Sequence, residues 1–292
     1  MKGIILAGGS GSRLAPMTNT TSKQLLPVYD KPMVYYPLGT LIDLGIRDIL
    51  VISTPRDLPN IERLFGDGSD FGIRLTYRVQ DKPNGIAECF LIADEFLDES
   101  VCLILGDNIF LLRDELYELR KLAAKPLTDA TILLRPVSDP ERFGVAECDD
   151  TGKVLRLIEK PKVPVSNLVS VGLYFYPADV VKKAKQLTPS ARGELEITDL
   201  NNLYLSEGRL GSIRMATNSL WLDAGTPDSL LQASILVEKE IREHSVPAGY
   251  LEILALRRGL IDKATFESLV TRFKIGTPYR ERLRSLAFGK DA

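Results

Sequence analysis

The feature that most narrows the fold is the alternation of short apolar runs with helical segments in the first half of the chain. Gly3 to Leu6, Ile49 to Ser53, Leu75 to Arg78 and Val101 to Leu105 read as strands. Met33 to Leu44 after Pro32, Asn60 to Phe65 and Ile86 to Phe96 read as helices between them. Strands that alternate with helices form a mostly parallel sheet with helices on both faces. Thr131 to Pro136 and Val169 to Tyr176 add strands, and Ala178 to Gln186 and Thr198 to Ser206 add helices. Gly144 to Glu147 and Lys153 to Ile158 flank the turn Asp149-Asp150-Thr151-Gly152. That is a hairpin signal, so part of the sheet is antiparallel and the whole is mixed. Leu210 to Met215 and Ser219 to Asp223 are further short strands.

From Ser229 the pattern changes. Leu230, Leu231, Ser234, Ile235, Val237 and Ile241 recur at helical spacing, and Tyr250 to Arg258, Lys263 to Phe273 and Arg280 to Ala287 follow as helices. The expected organisation is an α/β core over residues 1–228 and a helical C-terminal appendage over residues 229–292.

Composition excludes several classes. The 292 residues carry a formal net charge of −2, which argues against a general nucleic-acid or membrane-surface binder. No apolar run approaches the roughly 18 residues of a membrane span. The opening apolar run is too short for a signal peptide, so a cytoplasmic protein is expected. Cys89, Cys102 and Cys148 lack metal-ligand spacing and read as buried reduced thiols. The single histidine, His244, lies in a charged stretch, which argues against histidine-based catalysis.

The strongest local motif is Leu6-Ala7-Gly8-Gly9-Ser10-Gly11-Ser12-Arg13-Leu14, directly after the first strand. Glycines let a backbone approach a phosphate and turn its N–H groups toward it. The spacing is neither the dinucleotide fingerprint nor the Walker loop. Arg13 closes the motif and Lys23 follows ten residues later. Two cations beside such a loop suit a triphosphate whose leaving group is pyrophosphate. A tight strand-to-helix turn with solvated charges is the bland alternative.

Here a family resemblance becomes specific. The glycine motif, Ser22-Lys23-Gln24-Leu25-Leu26-Pro27, Gly106-Asp107-Asn108, Glu159-Lys160-Pro161, Arg192-Gly193-Glu194 and Trp221-Leu222-Asp223 occur in order over nearly the whole chain. Together they resemble the glucose-1-phosphate thymidylyltransferases of bacterial deoxysugar pathways. The resemblance implies a Rossmann-like nucleotidyltransferase fold and transfer of a nucleotidyl group from dTTP to glucose 1-phosphate or a related hexose 1-phosphate. It also implies a Mg²⁺ cofactor, a homotetramer and a product for deoxysugar or cell-surface polysaccharide synthesis. The alternatives are a UTP-using or non-glucose relative and, in another class, a catalytically silent nucleotide-binding subunit.

The resemblance assigns roles residue by residue. Leu6, Gly8, Gly9, Gly11, Ser12, Arg13, Gln24, Gln80, Pro83, Gly85 and Asp107 are implied to bind the nucleotide, with Gln80 and Gly85 reading the base. Asn108, Gly144, Glu159, Lys160, Ser170 and Arg192 are implied to bind the sugar phosphate. Asp107 and Asp223, each ending a short strand, are implied to hold Mg²⁺, which takes one or two carboxylates plus phosphate oxygens. Arg13, Lys23 and Lys160 are the expected catalytic cations.

Two groups of departures stand out. Phe143, Ser170, Val171 and Ala224 differ from the family near the implied sugar pocket, where moved hydroxyls alter discrimination. Leu111-Leu112-Arg113-Asp114 and Tyr250-Leu251-Glu252-Ile253 differ where relatives form a second, regulatory nucleotide site. Arg257 is kept there and a stacking histidine is not, so the appendage is expected to be an oligomer interface or a vestigial regulatory site.

Overall fold

The computed structural model describes residues 1–9 and 11–288; Ser10 of the glycine motif and residues 289–292, the end of the expected appendage, lie outside it. The chain begins with β1 (Lys2–Ala7), the short pair β2 (Pro27–Val28) and β3 (Lys31–Pro32), and α1 (Tyr35–Asp43). It continues with β4 (Asp48–Ser53), α2 (Leu58–Phe65), β5 (Arg74–Val79), α3 (Glu88–Ile92) and β6 (Val101–Leu105). Next come β7 (Asn108–Leu111), α4 (Leu116–Ala123), β8 (Ala130–Pro136), and the hairpin of β9 (Gly144–Cys148) and β10 (Val154–Glu159). Then follow β11 (Leu168–Tyr176), α5 (Val180–Ala184), α6 (Ile197–Ser206), β12 (Leu210–Arg214) and β13 (Leu220–Asp223). The chain closes with α7 (Pro227–His244), α8 (Leu251–Arg257), α9 (Lys263–Thr271) and α10 (Pro278–Phe288).

The central sheet runs β10-β9-β11-β6-β1-β4-β5, with β8 on β11 and β12 on β8. β6, β1, β4 and β5 are parallel, while β11 joins β6 antiparallel and makes the sheet mixed, as expected. Strand alternation sorts the core. Ile5, Ile49, Val51, Cys102 and Ile104 pack on one face. Ile4, Leu6, Leu50, Ile52 and Leu103 pack on the other. Because strands buried on both faces need no polar alternation, these runs read as continuous apolar stretches in the sequence.

Strand order reverses around β1: β4 and β5 lie on one side and β6 on the other. Open α/β sheets bind ligands at such a switch point, beyond the carboxyl ends of the strands. The glycine motif leaves β1 there and Asp107 leaves β6. Gly106 keeps the two close: its N–H donates to the Leu6 carbonyl at 2.9 Å, and a Cβ on it would lie 2.9 Å from Ala7 Cα.

The structure differs from expectation in three places. The helix expected over Ile86 to Phe96 is helical only over α3, because its start is drawn into tertiary pairing. Ala87 N–H donates to the Leu195 carbonyl at 3.1 Å, and Leu195 N–H donates to Asn84 at 2.6 Å. The helix expected over Ala178 to Gln186 is likewise shorter. β7 and α4 carry no clear sequence signal, yet β7 pairs with β13 in the register Asn108 to Asp223. That pairing delivers Asp223 to the end of β6.

α7 starts at Pro227 with a capping box between Thr226 and Ser229, so the change of character at Ser229 falls within its first turn. Leu230, Ala233, Val237 and Ile241 of α7, and Leu251, Ile253 and Leu254 of α8, share one apolar cluster with the β1 face that carries Ile5. Among the described residues no helix is long and apolar enough to cross a membrane.

Candidate active site

Two hollows open beyond the carboxyl ends of β1 and β6. The smaller, about 210 Å³, is walled by Leu6, Gly8, Gly9, Lys23, Gln80, Pro83 and Gly85. The larger, about 430 Å³, is walled by Arg13, Asn108, Gly144, Glu159, Lys160, Ser170 and Asp223 among others. Asp107, Leu105 and Ile86 border both, so the hollows meet at the end of β6.

Charge converges at that junction. Lys23 forms an ion pair with Asp107, each side chain 15% exposed. Burial pushes the Asp107 carboxyl up, but the Lys23 ammonium and the Asn108 amide outweigh it and hold the group below the usual carboxylate range. Burial, and then the charge of Asp107, push Asp223 above that range, against the pull of Lys23, Arg13 and Arg142. Arg142 donates to Asp223 at 3.2 Å. Arg13 lies beside it: a Cβ on Gly225 would meet Arg13 Nη2 at 2.7 Å and Asp223 Oδ1 at 3.1 Å.

Among the described residues no group of three or more His, Cys, Asp or Glu gathers as a closed metal cage. Asp107 and Asp223 instead supply two carboxylates to one cavity wall, and the charge of Asp107 raises the cost of charging Asp223. Oxygen-only donors with room for waters and phosphate oxygens suit a hard divalent cation, which would relieve that repulsion.

The smaller hollow is shaped by backbone. A Cβ on Gly8 would strike Gln80 Oε1 at 2.7 Å. Gly85 has a positive φ of 108°, and a Cβ there would lie 2.4 Å from the Leu195 carbonyl oxygen. Gly8 is needed for space, and Gly85 for space as well as conformation.

The larger hollow is shaped by side chains. Thr198 donates to Glu159 Oε2 at 2.5 Å, and Lys160 Nζ lies 3.4 Å from Glu159 Oε1. Lys160 has a positive φ of 42°, and its N–H donates to the Phe143 carbonyl at 2.9 Å. Asn108 is a brace as well as a wall: Trp221 and the Gly172 N–H donate to its Oδ1 at 2.6 and 3.3 Å. Phe143 packs edge-on against Trp221 with ring centroids 5.2 Å apart.

Most expected residues thus meet at the two hollows, and some stand elsewhere. Gln24 is 1% exposed and sits behind the glycine motif, where it donates to the Gly8 carbonyl at 3.0 Å. Gly11 and Ser12 border neither hollow; Ser12 opens an exposed 3-10 turn that carries Arg13 inward. Arg192 stands outside the walls, its guanidinium held by Glu196 at 2.8 Å, Glu194 at 3.1 Å and Glu159 at 3.5 Å. Of the departures, Phe143 and Ser170 line the larger hollow. Val171 and Ala224 do not: both are fully buried in the apolar core, Val171 because successive residues of β11 face opposite sides.

Sequence reasoning missed Thr198, Arg142, Tyr174 and Trp221 as wall residues. The alternation in β11, which faces Ser170 and Tyr174 the same way, is the signal that could have found Tyr174. Leu111 and Leu112, from the first stretch that departs from relatives, wall a hollow of about 60 Å³ together with Gly249 and Leu254; no residue of the stretch 250–253 borders it. Arg257 is directed away, donating to the Leu286 carbonyl at 3.1 Å, and Tyr250 covers Lys31 at 3.8 Å from its ring centre.

Comparison with known proteins agrees with this architecture. The family model described as Nucleotidyl transferase matches residues 2–240. A glucose-1-phosphate thymidylyltransferase of Neisseria gonorrhoeae is 51% identical over 92% of this chain and 93% of its own length. One from Mycolicibacterium smegmatis is 50% identical over 94% of each chain. A Bacillus anthracis crystal structure with sucrose, whose description proposes a glucose-1-phosphate thymidylyltransferase, is 44% identical with a TM-score of 0.74, over 81% of this chain and 94% of that one. A UDP-glucose pyrophosphorylase complexed with UDP-glucose, 21% identical over 82% of this chain and 98% of that one, shares the fold at a TM-score of 0.70. The chain belongs to the nucleotidyl transferase family, among the glucose-1-phosphate thymidylyltransferases.

Proposed function

We propose that this chain transfers the nucleotidyl group of dTTP to glucose 1-phosphate, or a closely related hexose 1-phosphate, giving a dTDP-sugar and pyrophosphate. The observation that carries the reading is the junction of two hollows at Asp107, with Arg13, Lys23 and Asp223 around it. The smaller hollow has room for a pyrimidine over Gly8 and Gly85. The larger has the carboxylate, ammonium and hydroxyls that a hexose phosphate needs.

A sugar phosphate is mostly dianionic at neutral pH, since its second pKa is about 6. No general base is then required. Lys160 orients the attacking phosphate and Glu159, set by Thr198, receives sugar hydroxyls. One phosphate oxygen forms a bond to the α-phosphorus as the α–β P–O bond breaks, and that electron pair leaves with pyrophosphate. Arg13 faces the charge that develops on the leaving group, and Lys23 faces the triphosphate. Asp107 and Asp223 would hold Mg²⁺, which supplies charge stabilisation to phosphoryl oxygens when bound. A cytoplasmic homotetramer completes the reading, carried by the family resemblance.

The test is a panel of dTTP, UTP, dCTP and ATP against several hexose 1-phosphates, read by pyrophosphate release. The expected result is fastest release with dTTP and glucose 1-phosphate, abolished by EDTA and restored by Mg²⁺. Release insensitive to EDTA would remove the metal, and no release from any pair would sink the reading.

A further inference from the structure

Gln80 lines the smaller hollow and is 5% exposed. Its backbone N–H is committed to the Ser53 carbonyl at 2.8 Å, so only its side chain faces the hollow. Its Nε2 donates to Glu88 Oε2 at 2.7 Å and to the Gly85 carbonyl at 3.3 Å. The two ends of an amide have nearly the same shape, but these partners tell them apart. An ionised carboxylate and a peptide carbonyl accept and cannot donate. Both hydrogens of the amide are thereby drawn to one side.

The oxygen is left for the hollow. Gln80 Oε1 lies over Gly8, and among the described residues nothing donates to it. Glu88 does not swing freely, because Asn84 Nδ2 donates to its second oxygen at 2.7 Å. It is also the first residue of α3, just after the segment that the Asn84 carbonyl and the Ala87 N–H fasten to Leu195. The chain Asn84–Glu88–Gln80 therefore presents one fixed acceptor to whatever base enters.

We propose that Glu88 is a positioning residue for base selectivity: it locks Gln80 as an acceptor that admits a 2,4-dioxopyrimidine and rejects cytosine. Thymine and uracil carry a hydrogen on N3, which Gln80 Oε1 can accept. Cytosine carries a lone pair there, and two buried acceptors would face each other without a proton between them. The inference rests on the reading above only in placing the base in the smaller hollow.

Direct binding of dTTP and dCTP by calorimetry tests it, with turnover measured in parallel. The wild-type protein is expected to bind dTTP at least tenfold more tightly than dCTP. Glu88→Gln can offer its own NH₂ to Gln80 and let that amide turn over, so the ratio should fall at least fivefold. Asn84→Ala keeps the carboxylate but releases its second oxygen, so the ratio should fall by less than in Glu88→Gln, and a larger fall than in Glu88→Gln would count against the carboxylate as the lock. Glu88→Ala reads the same loss if Glu88→Gln does not fold. A ratio unchanged in either folded Glu88 variant, or equal binding of both nucleotides by wild type, overturns the proposal. Loss of the sugar-transfer reaction alone, with the binding ratios as expected, would instead overturn the function proposed above.

Discussion

The two hollows of the cleft are built by different means. The smaller hollow, the proposed nucleotide side, is mostly backbone: Gly8, Gly9, Gly85 and Pro83 shape it, and Lys23 is the one cation on its wall among the described residues. The sugar side is mostly side chains: Glu159, Lys160, Thr198, Ser170 and Asn108 aim polar atoms inward, with Arg142 at the Asp223 end. The difference follows the ligand chemistry. Backbone N–H groups and glycine clearance suit a polyphosphate and a flat base. Sugar hydroxyls both donate and accept, so they need side chains whose direction is fixed by neighbours, as Thr198 fixes Glu159.

The contrast can be broken at the seam. Arg13→Ala removes a cation from the point where the hollows meet, and turnover should fall about 10²- to 10³-fold, the usual cost of losing one preorganised donor to developing charge. Arg13 is exposed, so the thermal midpoint should move little. Turnover unchanged in a folded variant would take Arg13 out of the reaction.

A smaller effect sharpens the nucleotide side. Gly8→Ala puts a methyl 2.7 Å from Gln80 Oε1, which must shift to make room. KM for dTTP should rise about tenfold while KM for the hexose phosphate changes less than twofold, a split in line with losing one buried hydrogen bond. Equal rises in both constants would mean that the two sides are not separately built.

The smallest effect separates wall from core on the sugar side. Val171→Thr restores a family hydroxyl, but the position is fully buried among apolar side chains. KM for the sugar phosphate should stay within twofold, while stability drops by about 1–3 kcal/mol for a hydroxyl without a partner. A clear change in KM would return Val171 to the sugar wall.

Much of the cleft was legible beforehand because its residues come in short runs. Gly8 and Gly9 follow β1 directly, Asp107 follows β6, and Glu159-Lys160 ends β10, so each motif carries its own placement at a strand end. The misplacements share one cause. Val171 and Ser170 are neighbours in sequence and differ only in which face of β11 they take. Gln24 is buried, and its amide donates to the Gly8 carbonyl behind the glycine motif. Arg192 is surrounded by Glu194, Glu196 and Glu159, and that crowd of carboxylates holds it off the wall.

The sequence by itself determined the strand-and-helix alternation, the glycine motif and the charged residues that sit at strand ends, such as Asp107, Glu159 and Lys160, because strand periodicity and glycine spacing are local properties. Tertiary structure alone decided which of those charges face one another. Lys23 meets Asp107 across 84 residues. Asp223 arrives only because β13 pairs with β7, a strand with no clear local signal. Glu88 acts on the base site only through the oxygen it leaves free on Gln80. Contacts of that kind depend on register and packing between distant segments, and no local pattern encodes them.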